Sequence, residues 1–212
     1  MKGLLLKDLY SIGSYKKQYL LVTVFMCIWG VIMKSTSFPA MYLTLMCGMI
    51  TLTTMTMDEQ AKFNRYALTM PLTPRELVRE KYVLLICLIV AGAGLGSIVI
   101  LLGDLFGADN MVNFNMVSLG SVLVLFLLIY SIMLPIAFKL GVEKARMLFI
   151  GLMALVFVIV FGAMHLLEGI AVSEQLGEIL VAGAILTVAI LAIGGLLLSY
   201  QISVRIVSKK EW

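Results

Sequence analysis

Apolar runs of roughly 20 residues, separated by short charged segments, recur along the whole chain, and that is the length a helix needs to cross a hydrocarbon core about 30 Å thick. The runs occupy residues 19–37, 38–57, 82–103, 116–138, 147–167 and 179–204. A helix satisfies its own backbone groups in lipid, whereas the alternation expected of a barrel strand is absent from the sequence. The chain therefore reads as an all-α integral membrane protein with six transmembrane helices. Of its 212 residues, 62% are hydrophobic and 13% charged. Six crossings use about 120 residues at that spacing, so no length remains in these residues for a built-in nucleotide-binding domain, a large receptor domain or an ordinary soluble enzyme.

Positive charge sets the expected orientation, because short loops rich in Lys and Arg stay cytoplasmic. Lys2, Lys7, Lys16 and Lys17 precede the first run; Lys62, Arg65, Arg75, Arg79 and Lys81 lie between the second and third. Lys139, Lys144 and Arg146 lie between the fourth and fifth, and Arg205, Lys209 and Lys210 in the tail, so 15 of 16 basic residues fall on one side. Only Lys34 falls on the other, where Asp104, Asp109, Glu168, Glu174 and Glu178 lie. Both termini are expected in the cytoplasm. The net charge of +4 is divided among separate loops beside membrane spans, which speaks for topology and against nucleic-acid binding. A cleaved signal peptide is not expected, since Lys7 and Asp8 interrupt the first Leu-rich stretch and the first long run lacks a cleavage site after it. Cys27, Cys47 and Cys87 sit inside spans without CxxC spacing and read as small hydrophobes.

Residues 1–18 form an arm in which Leu4, Leu5, Leu9 and Ile12 alternate with Lys2, Lys7, Asp8 and Lys16. This spacing suits an amphipathic helix at the interface, ending near Gly13 and Ser14, with its lysines toward anionic headgroups; an irregular basic arm is the competing reading. Residues 19–212 are then the transmembrane domain. Within it, residues 58–81 are the longest charged segment. Thr73, Pro74 and Glu76 make a T-x-x-E capping box with Pro at the first helical position, so a helix should start there and run into the third span. The second span is expected to continue to about Asn64. Between them, Tyr66, Leu68, Met70, Pro71 and Leu72 put apolar side chains at a hairpin tip, which suits a protein contact or a fold back onto the membrane surface. Gly141, in the short basic loop after the fourth span, is available as a helix stop.

Inside the spans, Gly92 and Gly96 have GxxxG spacing, and Gly194 and Gly195 offer a second place for close helix approach, within one subunit or between subunits. Pro135 should kink or loosen the fourth span. The second span holds Thr44, Thr51, Thr53, Thr54 and Thr56 among five methionines, Met55 included. Two readings stay open: ordinary helix packing, or a polar and pliable substrate path through Thr51, Thr54 and Met55. Lys34, near the outer end of the first span, either snorkels to headgroups or faces a cavity on that path.

Catalytic groups are sparse. His165 is the only histidine and forms no HExxH site; no GxxxxGK[ST] loop is present to cradle ATP. No line of buried acidic or arginine residues marks a proton relay or voltage sensor within the spans. No cofactor or metal is expected on this chain, and energy for any transport should come from another subunit.

Two segments, the opening Met1-Lys2-Gly3-Leu4-Leu5-Leu6-Lys7-Asp8-Leu9 and Tyr66-Ala67-Leu68-Thr69-Met70-Pro71-Leu72-Thr73-Pro74-Arg75-Glu76-Leu77-Val78-Arg79-Glu80-Lys81-Tyr82, give the arrangement a likeness. It resembles the permease subunits of ABC-2 type ABC transporters in the subgroup of short six-span chains. Such permeases often begin with a basic "lxKD" arm and carry an "LP-(I/V/L)-(S/T)-x-x-x-(I/L)-V-x-x-K-Y" segment; here Met70 precedes Pro71, and Pro74 follows the Thr. Among them the chain looks most like bacterial exporters of amphipathic toxin peptides, those of the phenol-soluble modulins included. The resemblance implies a bacterial cell membrane and a pair of permease chains. It also implies a separate cytoplasmic ATPase subunit holding ATP and Mg. Arg65, Tyr66, Leu68, Met70, Pro71, Leu72, Thr73, Arg75 and Glu76 would then be the coupling element. A non-transporting membrane scaffold or immunity protein is the alternative.

Overall fold

The computed structural model describes residues 2–13, 16–32, 35–63, 66, 73–105, 112–167 and 174–209. Among these, every regular element is helical: α1 (Lys2–Gly13), α2 (Lys16–Ile32), α3 (Ser37–Gln60), α4 (Pro74–Leu105), α5 (Val112–Leu140), α6 (Val142–Leu167) and α7 (Glu174–Lys209). Four of them, α3, α4, α5 and α7, are long and apolar enough to cross a bilayer. α2 has 17 residues, or about 26 Å of helix at 1.5 Å per residue, a little short of the hydrocarbon thickness.

α3 and α4 make the closest pair, and glycine is the reason. A methyl group added at Gly96 would lie 3.0 Å from the Ala40 carbonyl oxygen, and one at Gly92 would lie 2.8 Å from Cys47 Cβ and 3.0 Å from Thr44 Cα. Backbone therefore approaches backbone, as the GxxxG spacing allows, and the contact forms within one chain. Ala40 is fully buried beneath it. α5 crosses the other side of α3, where the Tyr130 ring covers Gly48 and its hydroxyl donates to the Leu45 carbonyl at 3.3 Å. Tyr130 also stacks on Phe149 of α6, ring centroids 5.8 Å apart, which ties three helices into one apolar core.

α5 packs along α7, and Pro135 has a local consequence. Proline lacks the N–H that would bond the carbonyl four residues back, at Ser131. The Ser199 hydroxyl of α7 donates to that freed carbonyl instead. α5 ends at Gly141, whose φ of +93° is the left-handed conformation that glycine adopts at helix ends. The expected stop is therefore in place, and α6 begins one residue later with the Val142 N–H donating to Glu59 Oε2 of α3 at 3.2 Å. At the tip of α3 the helix ends at Gln60, followed by a turn with Lys62 at φ +50°, rather than continuing to Asn64. A flank of α2 (Leu20, Leu21, Phe25, Ile28) and one of α6 (Ile150, Phe157, Val158) expose large apolar side chains, as surfaces meeting lipid do.

Gly94 has no heavy atom within 4 Å of an added Cβ, whereas Gly96 meets Ala40 backbone. Gly96→Leu is expected to cost at least about 1–3 kcal/mol as overpacking, and Gly94→Leu to leave the unfolding temperature in detergent nearly unchanged. Thermal unfolding of the two variants, compared side by side, checks the placement.

Candidate functional site

The candidate site lies at the end of the bundle where α1, the tip of α3 and the start of α4 meet. α4 begins as its sequence requires. Thr73 N–H donates to Glu76 Oε2 at 3.0 Å, Thr73 Oγ1 donates to the same oxygen at 3.0 Å, and the Glu76 N–H points back to Thr73 Oγ1 at 3.4 Å. The reciprocal bonds satisfy orphan donors of the first turn, and Pro74 removes another. The segment entering the membrane is thus a continuous capped helix, with two charged turns ahead of an apolar stretch that starts at Tyr82.

Those charged turns are bound to α1 and α3 by ion pairs that link distant parts of the sequence. Lys81 Nζ lies 2.5 Å from Asp8 Oδ2 and 2.7 Å from Asp58 Oδ2. Lys7 Nζ lies 2.5 Å from Asp58 Oδ1 and 3.1 Å from Asp8 Oδ1, with the Phe63 ring centroid 3.8 Å away. Asp8, Glu80 and Lys81 are almost wholly buried, at 0%, 1% and 3% exposure. Charges so placed hold their positions only with partners, and here each aspartate bridges both lysines. Burial raises the Asp8 carboxyl, but a hydrogen bond from Glu80 and the Lys81 and Lys7 ammonium groups outweigh it and hold Asp8 below the ordinary carboxylate value.

This arrangement corrects one expectation. α1 is helical and ends at Gly13 as anticipated, but Lys7 turns into the bundle rather than toward headgroups. Leu4 and Asp8, one turn apart, form the docked face, while Leu6, Leu9 and Tyr10 stay exposed. Immediately after Lys81, Tyr82 ties α4 to α7. The Ser199 proton is committed to the Ser131 carbonyl, so the Tyr82 hydroxyl donates to Ser199 Oγ and accepts from Ser203 Oγ at 2.9 Å. Tyr200 adds an edge-on ring contact with Tyr82 at 5.6 Å.

The sequence-predicted residues fall in three groups. Thr73, Arg75 and Glu76 sit together at the exposed start of α4, and Tyr66 is 64% exposed nearby in sequence. Arg65, Leu68, Met70, Pro71, Leu72 and Lys34 lie outside the described residues. Thr51, Thr54 and Met55 are buried inside the bundle. The Thr54 hydroxyl donates to the Thr51 carbonyl at 2.9 Å, and Thr44, Thr53 and Thr56 bond their own helix backbone in the same manner. Thr51 Oγ1 has no hydrogen-bond partner among the described residues. Sequence reasoning missed Asp58 and Glu80 as members of a charge cluster. The available signal is opposite charge at the membrane boundary in three separate segments, two of which carry the Lys7-Asp8 and Lys81-Tyr82 motifs.

The chain matches the ABC-2 family transporter proteins over residues 3–208. It belongs to that family, whose members are membrane-spanning transporter components, and is a multi-pass membrane protein with a permease role. No curated protein and no solved structure gives a significant match.

Removing one partner of a buried ion pair strands the other, at a cost of about 3–5 kcal/mol. Asp8→Ala and Lys81→Ala are each expected to lower the unfolding temperature, and the Asp8→Ala, Lys81→Ala double variant to lose less than the sum of the two, because the groups share one network. Glu76→Ala, which removes only half of an exposed cap, should lower the unfolding temperature far less. Differential scanning fluorimetry in detergent separates these outcomes.

Proposed function

We propose that this chain is the permease subunit of an ATP-driven exporter in a bacterial cell membrane, paired with a second permease chain and with a cytoplasmic ATPase that binds ATP and Mg. Family membership implies the ATPase partner. The observation that most supports the coupling role is the capped start of α4 held to α1 and α3 by buried ion pairs. A push on the start of α4 displaces α3 with it, because ion pairs join the two helices there.

In this reading α2 and α6 join the four long apolar helices to complete six spans, with both termini and the charge cluster on the cytoplasmic side. Tyr66, Thr73, Arg75 and Glu76, with Arg65, Leu68, Met70, Pro71 and Leu72 of the same loop, face the ATPase. The cargo is hydrophobic or amphipathic: a peptide toxin, an antimicrobial peptide or a lipid-like compound. It passes along α3 at Thr51, Thr54 and Met55, with Lys34 at the outer end. Because Thr51, Thr54 and Met55 are buried, the route requires α3 to part from its neighbours during the cycle. The unpartnered Thr51 hydroxyl is a polar group that a passing substrate would satisfy.

Gentle extraction of the tagged chain, followed by native mass spectrometry, tests the partner. An ATPase subunit is expected to come away with it and to be lost in the Leu72→Ala, Arg75→Ala double variant. Recovery of the chain alone under several mild detergents would favour a scaffold. In cells, Thr51→Trp with Met55→Trp is expected to cut export at least tenfold while ATPase recovery persists; unchanged export would remove α3 from the path.

A further inference from the structure

The charge cluster contains one more carboxyl group than ammonium groups can neutralise. Lys7 and Lys81 face Asp8, Asp58 and Glu80, and all ion pairs among the described residues join these five groups. Lys7 and Asp8 come from α1, Asp58 from α3, and Glu80 and Lys81 from α4. The set is electrically balanced when one carboxyl holds a proton. Two oxygens identify which one. Asp8 Oδ1 and Glu80 Oε1 are both buried without a hydrogen-bond donor among the described residues. Lys7 reaches Asp8 Oδ1 at 3.1 Å as an ion pair without hydrogen-bond alignment, and Lys81 stays 3.7 Å from Glu80 Oε1, too far for a bond. Two ionised carboxylates at 0% and 1% exposure would repel; a shared proton turns the same contact into a hydrogen bond.

We propose that Glu80 is a proton-binding site, a neutral carboxylic acid that donates its O–H to Asp8, so that seating α1 against α4 takes up one proton. Glu80 precedes the apolar stretch of α4, where protons can reach it from water when α1 lifts. Burial, the hydrogen bond to Asp8 and the Asp8 charge push the Glu80 carboxyl up to about 8, against the pull of Lys81 and Lys7. A carboxyl raised from its ordinary value of 4.5 to about 8 favours the docked state at low pH. As pH climbs between those values docking weakens, by up to about tenfold per pH unit, and levels off once Glu80 ionises in both states. This inference does not depend on what the chain carries or whether it carries anything.

Infrared titration of the full chain in lipid nanodiscs tests it directly. At about pH 6 the wild type is expected to show a protonated-carboxyl band that shifts with 13C-glutamate labelling, disappears with a midpoint near 8, and is missing from Glu80→Gln. Gln keeps an N–H donor for Asp8, so hydrogen exchange of residues 2–13, corrected for intrinsic rates, should lose its pH dependence in that variant. Absence of the band at pH 6 in the wild type would overturn the proposal, and so would a band unmoved by glutamate labelling. Stabilisation by added sodium or calcium, with no band, would assign the gap to a metal cation and overturn it equally. The wild-type titration decides the matter even if Glu80→Gln fails to fold.

Discussion

A lysine ammonium cannot be left alone at the edge of a hydrocarbon core, and the organisation of this protein at its charged end follows from that requirement. Lys81 opens directly onto the apolar stretch of α4, is 3% exposed, and is held by Asp8 from one helix and Asp58 from another. Because the two carboxylates arrive on α1 and α3, neutralising one charge fixes three helices against each other. Buried ion pairs of this kind do little to raise net stability over an apolar substitute, but they penalise every arrangement that separates the partners. They therefore specify where α1 sits.

Below that clamp, the contacts between helices are short-range and unforgiving. Gly92 and Gly96 let α4 lie on the backbone of α3, the Tyr130 ring covers Gly48 on the other side, and the Pro135-freed carbonyl of Ser131 draws in Ser199 of α7. Tyr82 then joins α4 to the same α7 serines one residue after Lys81. Motion applied at the capped start of α4 would reach α1 and α3 through charge and α7 through hydroxyl groups. This geometry suits a family of membrane-spanning transporter components.

Local features of this architecture are legible in the sequence because each is decided by neighbouring residues. The start of α4 at Pro74 depends on its cap, and the stop at Gly141 on a residue that tolerates a left-handed turn. The close α3–α4 approach is half legible: GxxxG announces that a helix will come near, without saying which. The charge cluster is not legible, since Lys81 and Asp8 are 73 positions apart and Lys7 and Asp58 are 51 apart. Hydropathy assigns Lys7 to headgroups because an isolated amphipathic helix would place it there; the tertiary partner Asp58 overrides that preference. The Ser131–Ser199 bond is hidden for the same reason, as Pro135 reveals a freed carbonyl but not its donor.

Charge pairing, and not the membrane surface, holds α1 in place. Hydrogen exchange of the full chain in nanodiscs, comparing wild type with Lys81→Met, tests it most directly, because Met keeps the apolar stem and deletes only the charge. Amides of residues 2–13 are expected to lose protection at least tenfold while those of α5 and α6 keep theirs. Unchanged protection of residues 2–13 in Lys81→Met would mean that lipid, and not charge pairing, holds α1.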